Sequence, residues 1–318
     1  MTRRILALAG GVGGAKLAVG LAGMLPTDAL TVAVNTADDF EHLGLSICPD
    51  LDTVMYTLAG VANPETGWGR RDESWTVMEA LGPLGAETWF RLGDKDLATH
   101  IERTRRLRAG ESLSSVMRDL AAKLGVECAM VPMTDDPVRT MVTTDRGELA
   151  FQDWFVRLRC EPVVKAVHFA GTGKARPHPA LVDTAGLRGV VVCPSNPFVS
   201  VAPILAVPGV RPALAQAKAP KVAVTPIVGG QAIKGPAAKM LAELGHDVSA
   251  LGVARYYKEW ADGFVLDVQD ARLAHDIEGL GLKVRITDTM MRNDSDKRRL
   301  AADVLDFVDE LALSGRHS

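Results

Sequence analysis

Residues 5–25 read "ILALAGGVGGAKLAVGLAGML". An apolar run too short for a helix meets glycines at 10, 11, 13 and 14, and an apolar stretch with helical spacing follows. This strand–glycine turn–helix order constrains the fold more than any other feature. A strand buried on both faces implies a parallel sheet, and a parallel sheet needs helices as crossovers. Further runs of the same kind are "LTVAVN" at 30–35, "GVVVCPS" at 189–195 and "KVAVTPIV" at 221–228. Helical patterns stand between them, at 15–25 and 236–244. The alternation predicts an α/β, Rossmann-like three-layer core with a mostly parallel sheet. Residues 70–130 differ, being rich in charged helical patterns such as "DLATHIERTRRLRAGESLSSVMRDLAAKLG". They are expected to form a smaller helical insert, leaving 1–69 and 131–318 as the nucleotide- or phosphate-binding core. Residues 132–156 are expected to return to the sheet as strands.

The chain of 318 residues has a net charge of −3 and no long basic run, which argues against nucleic acid as the main partner. Its apolar runs are too short or too interrupted to span a bilayer, so no membrane partner is expected. The four cysteines, Cys48, Cys128, Cys160 and Cys193, form no CxxC pair. They read as reduced thiols of a cytoplasmic protein.

The glycine turn has a physical logic. Without β-carbons, Gly10, Gly11, Gly13 and Gly14 let backbone N–H groups approach a phosphate, and the following helix directs its positive end to the same place. Lys16 supplies a cation nearby. The spacing fits GxGxxG only by force, and the Lys–Ser/Thr ending of a Walker loop is missing. A tight strand–helix turn with no ligand is the alternative.

Asp38, Asp39, Asp50 and Asp52 crowd just beyond the second strand, where open α/β sheets bind ligands. Carboxylates beside phosphates suggest Mg²⁺, with Asp50 as the chosen ligand, and Asp50 and Asp52 as catalytic candidates. The competing reading makes Asp50 a helix N-cap. Two later loops have ligand-loop composition. "PSNP" at 194–197 offers Ser195 and Asn196, and "TPIVGGQAIKGPA" at 225–237 offers Gly229, Gly230 and Lys234 as a second anion site. His100 reads as surface or structural. Trp89, Phe90, Trp154 and Phe155 read as core, and "TDDP" at 134–137 as a turn or a cleft wall.

Taken together, "LAGGVGGAKL", "VNTADD", "PDLDTVMY", "WFRLGDKDLATHI", "VPMTDDPVRT", "FQDWFV", "PSNPFVSVAPIL", "TPIVGGQAIKGPAAKM", "GVARYY" and "DTMM" resemble the 2-phospho-L-lactate transferases of deazaflavin coenzyme (coenzyme F-420) biosynthesis. The segments run in order along nearly the whole chain. The resemblance implies a magnesium-dependent transferase. Such an enzyme moves a phospho-three-carbon acid (2-phospholactate or phosphoenolpyruvate) from a guanosine diphospho-linked donor to the terminal ribityl hydroxyl of the deazaflavin Fo, releasing GMP. From the family's "DLD" and "(K/R)LGD" motifs it carries Fo contact onto Asp52 and Arg91. The glycine loops, with Lys16, Ser195, Asn196, Gly229, Gly230 and Lys234, would hold the donor. A homodimer is plausible at this size. The competing function is a nucleotide-sugar-binding regulatory protein of a related family.

Overall fold

The computed structural model describes residues 3–314. Its centre is a seven-stranded, all-parallel sheet. The strands are β1 (Arg4–Ala9), β2 (Leu30–Val34), β3 (Ala129–Pro132), β4 (Leu187–Val192), β5 (Lys221–Val224), β6 (Gly263–Asp267) and β7 (Lys283–Thr287). They lie in the order β7-β6-β5-β4-β1-β2-β3. The first six therefore follow the Rossmann order 3-2-1-4-5-6, and the order reverses between β1 and β4. Leu6 of β1 pairs with Thr31 of β2 on one side and with Val190 of β4 on the other.

Alternate side chains of β1 point to opposite faces, which is why one strand feeds two cores. Leu6 and Leu8 join a cluster with Val190, Val192, Ile204 and Phe264. Ile5, Ala7 and Ala9 join another, built with Leu17 and Leu21 of α1 (Gly11–Ala22), Leu51 and Val54 of α2 (Pro49–Leu58), and Leu300 and Val304 of the long C-terminal helix Asp294–Ser314. The result is three layers, as the alternation of apolar runs implied.

The region 70–130 holds Thr76–Leu81, α3 (Asp94–Arg108) and α4 (Leu113–Lys123). Met78, Leu92 and Leu97 form a small cluster with Ile47. Met117 and Ala121 of α4, however, pack into the main core beside Met130. That helix is the crossover from β2 to β3 rather than part of a separate body, and β3 begins at Ala129, inside the expected insert.

Two expectations need correction. Of residues 132–156, only Pro132, the end of β3, lies in the central sheet. Arg139–Thr144 pairs antiparallel with Gly147–Ala150 and Val164–Ala170, forming a separate three-stranded sheet. The run at 221–228 also breaks: β5 stops at Val224, and Ile227–Val228 pairs with Gln231–Ala232 as a small hairpin. No single helix among the described residues is long and apolar enough to cross a membrane. Among them all four cysteines are free.

Candidate active site

The loops after β1 and β4 meet at the point where strand order reverses, and a cavity of about 660 Å³ opens there. Their contact depends on small residues. A β-carbon on Gly13 would lie 2.2 Å from the Pro194 carbonyl oxygen, and Gly11 has φ +61°, which favours glycine. Ser195 Oγ donates to the Gly10 carbonyl at 2.9 Å and is 3.2 Å from the Gly10 nitrogen. Gly10, Gly11, Gly13, Ser195 and Asn196 all border the cavity. Gly14 lies deeper, packed on Ala9 and Ser195.

The helix α2 presents its first turn to the same place. Its N-cap is Cys48 and Pro49 opens the helix, so Asp50 is not the cap. Instead Asp50 crosses to the glycine loop. Its Oδ1 accepts from Gly11 N at 2.8 Å, and its Oδ2 accepts from Asn35 Nδ2 at 2.9 Å. Asn35, at the end of β2, also donates to the Val199 carbonyl at 3.1 Å. It thus ties three loops together where a dinucleotide enzyme would place a ribose-binding acid.

Burial pushes the Asp50 carboxyl up to about 6, against the hydrogen bonds from Asn35 and Gly11. Burial, and then the Asp50 charge, push Asp38 upward as well. Asp38 Oδ1 is buried with no hydrogen-bond partner among the described residues, and Asp38 borders the cavity. Two crowded carboxylates that resist ionisation, one with an orphaned oxygen, are what a hard divalent cation would relieve.

Asp52 is in a different situation. Arg103 of α3, wholly buried, donates Nη1 to Asp52 Oδ1 at 2.6 Å and Nη2 to Oδ2 at 3.0 Å. Burial alone would lower the affinity of Arg103 for its proton. The charge and hydrogen bonds of Asp52, together with Cys48 and Tyr56, outweigh burial and raise that affinity. His100 lies 3.6 Å from Asp52 and 3.3 Å from Asp96, and Tyr56 Oη donates to Asp96 Oδ1 at 2.7 Å. Asp52, Asp96 and His100 have the spacing of a metal site. The Arg103 guanidinium already supplies compensating charge there, whereas among the described residues no hydrogen bond brings such a cation to Asp38 or Asp50.

Several sequence expectations resolve differently. Lys16 turns away from the cavity and donates to the Met291 carbonyl at 2.9 Å. Burial, with Lys234 and Lys297 nearby, lowers its pKa. Gly229 and Gly230 form the hairpin turn and do not border the cavity, and the Gly229 N–H is taken by Asp270 Oδ2 at 2.9 Å. Lys234 does border the cavity, with its amine held by the carbonyls of Thr66 at 2.7 Å and Glu65 at 3.2 Å. Arg91 borders it too, its guanidinium 4.2 Å from the centre of the Trp75 ring. Asp135 and Asp136 stay outside, bonding Ser114 and Arg176.

Aromatic residues of the cavity lining escaped the sequence reading. Trp89, Phe90 and Phe155, read as core, line the cavity, and only Trp154 of that set is wholly buried. Phe151 stacks on Phe155 with ring centres 5.4 Å apart. His100 is buried rather than on the surface. The signal for these residues was weak, because an aromatic beside a cavity has the same sequence spacing as one in a core.

The chain is 42% identical over 315 residues to a phosphoenolpyruvate transferase from Streptomyces griseus, covering 97% of this chain and 99% of that protein. It is 40% identical to a 2-phospho-L-lactate transferase from Methanopyrus kandleri, covering 98% and 99%. A third relative, the 2-phospho-L-lactate transferase of Methanosarcina acetivorans, is 38% identical, covering 96% and 99%. Among solved structures, a UPF0052 family member from Bacillus halodurans superposes with a TM-score of 0.62 over 95% of this chain and 99% of that one. At 15% identity that likeness speaks to fold alone. Residues 5–302 match the family model "2-phospho-L-lactate transferase CofD". With relatives near 40% identity along its whole length, the chain belongs to the CofD family and is a transferase.

Proposed function

We propose that this transferase moves a phospho-three-carbon-acid group from a guanosine diphospho-linked donor to the terminal ribityl hydroxyl of Fo, with GMP as leaving group. The observation that carries the reading is the mixed lining of the cavity. Its polar lining includes Gly10, Gly11 and Ser195, at the point where strand order reverses, and Lys234. Its aromatic lining includes Trp89, Phe90 and Phe155. A pyrophosphate suits the first, and a flat tricyclic acceptor suits the second. Asp50 and Asp52 line the same cavity.

Asp38 and Asp50 would hold Mg²⁺, which neutralises charge on the phosphates during transfer. The chain's own groups do the remainder. Backbone N–H groups of the glycine turn and the Lys234 amine position the donor. Asp52, clamped by Arg103, accepts a hydrogen bond from the acceptor and orients it, and Arg91 meets the oxygens of the ring. Phosphoryl transfer depends mostly on such positioning and charge balance. With its carboxyl near 6, Asp50 is ionised at neutral pH and stays available to a cation.

Incubation with Fo and each guanosine diphospho-linked donor (lactate, enolpyruvate or glycerate), followed by mass spectrometry, tests the reading. A product of Fo mass plus the phospho-acid, with one GMP per turnover, is expected. Binding of a uridine diphosphate sugar with no transfer to Fo would favour the nucleotide-sugar-binding reading instead.

A further inference from the structure

Among the cavity's polar side chains, His100 has the least obvious role. It lies in α3, its side chain is 2% exposed, and it borders the cavity. Arg103 Nη2 is 2.7 Å from His100 Nδ1. A guanidinium has hydrogens to donate and no lone pair to accept with, so Nδ1 must present its lone pair and the ring proton sits on Nε2. That Nε2–H has no hydrogen-bond partner among the described residues. Asp96 Oδ1, 3.3 Å away, already accepts from Tyr56. A buried donor left unpaired is costly, and beside a cavity the cost is removed when a ligand atom arrives.

The neighbours say what kind of atom. The Nε2–H donor has the Asp96 carboxylate beside it at 3.3 Å, while Asp52 lies on the Nδ1 side of the ring at 3.6 Å. A carbonyl oxygen would satisfy the donor and be repelled by Asp96. An amine or cation would suit Asp96 and oppose the N–H and the nearby Arg103. A hydroxyl accepts through its oxygen and donates through its proton, and so suits all of them.

We infer that His100 is a substrate-binding residue that donates from Nε2–H to a hydroxyl oxygen on the acceptor's polyol chain, whose own proton goes to the neighbouring Asp96 carboxylate. Arg103 is then a positioning residue that sets the His100 tautomer. The inference rests on the acceptor assignment proposed above and adds to it a residue that reads the chain rather than the ring.

The test is fluorescence titration of the full-length protein with Fo and with the same deazaflavin ring carrying a methyl group in place of the ribityl chain. His100→Leu is expected to weaken Fo binding by about 10-fold while leaving the ring-only compound within about 2-fold of wild type. His100→Gln, which keeps an N–H near the Nε2 position, is expected to recover most of the Fo affinity. His100→Asn, which does not reach that position, is expected to behave like Leu. Unchanged Fo affinity in His100→Leu, or equal loss for both compounds, would overturn the inference. If the Leu variant does not fold, equal Fo affinities for the Gln and Asn variants overturn it. Failure of the wild-type protein to bind Fo at all would remove the acceptor assignment itself, and this inference with it.

Discussion

Replacing Arg103 with Met isolates the energetics of the site's buried ion pair. In the wild type the guanidinium makes two hydrogen bonds to Asp52, at 2.6 and 3.0 Å. Nε donates to the Ser46 carbonyl at 3.1 Å, and Nη2 lies 2.8 Å from that carbonyl and 2.7 Å from His100 Nδ1, so the two Nη2 hydrogens are shared among three acceptors. Met fills much of the stem's volume and none of the donor positions. It strands a carboxylate that is only 5% exposed. Breaking one partner of a buried pair costs about 3–5 kcal/mol, mostly as the penalty of the charge left behind. At about 2 °C per kcal/mol for a chain of this size, Tm should fall by about 6–10 °C. Urea unfolding followed by circular dichroism measures the same quantity through the midpoint at unchanged slope. The double variant Arg103→Met/Asp52→Leu, with no charge left to strand, should recover about half of the loss. A single-variant cost below about 1 kcal/mol, or a double variant less stable than the sum of its parts, would refute the reasoning. Asp52 would then be solvated or otherwise paired.

Three further outcomes are expected. Prolonged EDTA treatment should abolish transfer and Mg²⁺ should restore it, with Asp38→Asn and Asp50→Asn each lowering kcat by about 100-fold or more; full activity after rigorous metal removal would dismiss the cation site. Burial pushes the Asp39 carboxyl up to about 8, above the value of about 4 for an unfolded chain. Between those values the folded state holds a proton that the unfolded state has lost, so stability is fullest below about pH 4 and declines as pH rises toward 8. Asp39→Asn should flatten that decline by about 1.4 kcal/mol per pH unit in metal-free buffer, and an unaltered slope between pH 5 and 8 would show Asp39 ionised in the fold. Arg91→Ala should weaken Fo binding by about 1–3 kcal/mol in a fluorescence titration and leave GDP affinity by calorimetry unaltered; the opposite pattern would assign Arg91 to the donor.

What the amino-acid sequence determined by itself is local or repeated along the chain. The parallel sheet was legible because strands buried on both faces must be continuously apolar, as in β1, β2 and β4. The glycine turn was legible because Gly11 needs a positive φ and Gly13 a close approach, both properties of a short stretch. Family membership was legible because many short segments keep their order. Tertiary structure decided which polar groups are free to act. Asp50 and Asp52 are two residues apart, yet one bridges the glycine turn and Asn35 while the other is locked by Arg103, 51 positions away. Gly229 has the composition of a phosphate loop, and a carboxylate 41 positions later occupies its N–H. Lys16 follows the glycines, and helix geometry turns it to Met291. Trp89 and Phe155 line one cavity only because separate segments converge there. Hydrogen-bond partners distant in sequence leave no periodic trace in it, so which donors and acceptors remain unclaimed is known only once the chain has folded.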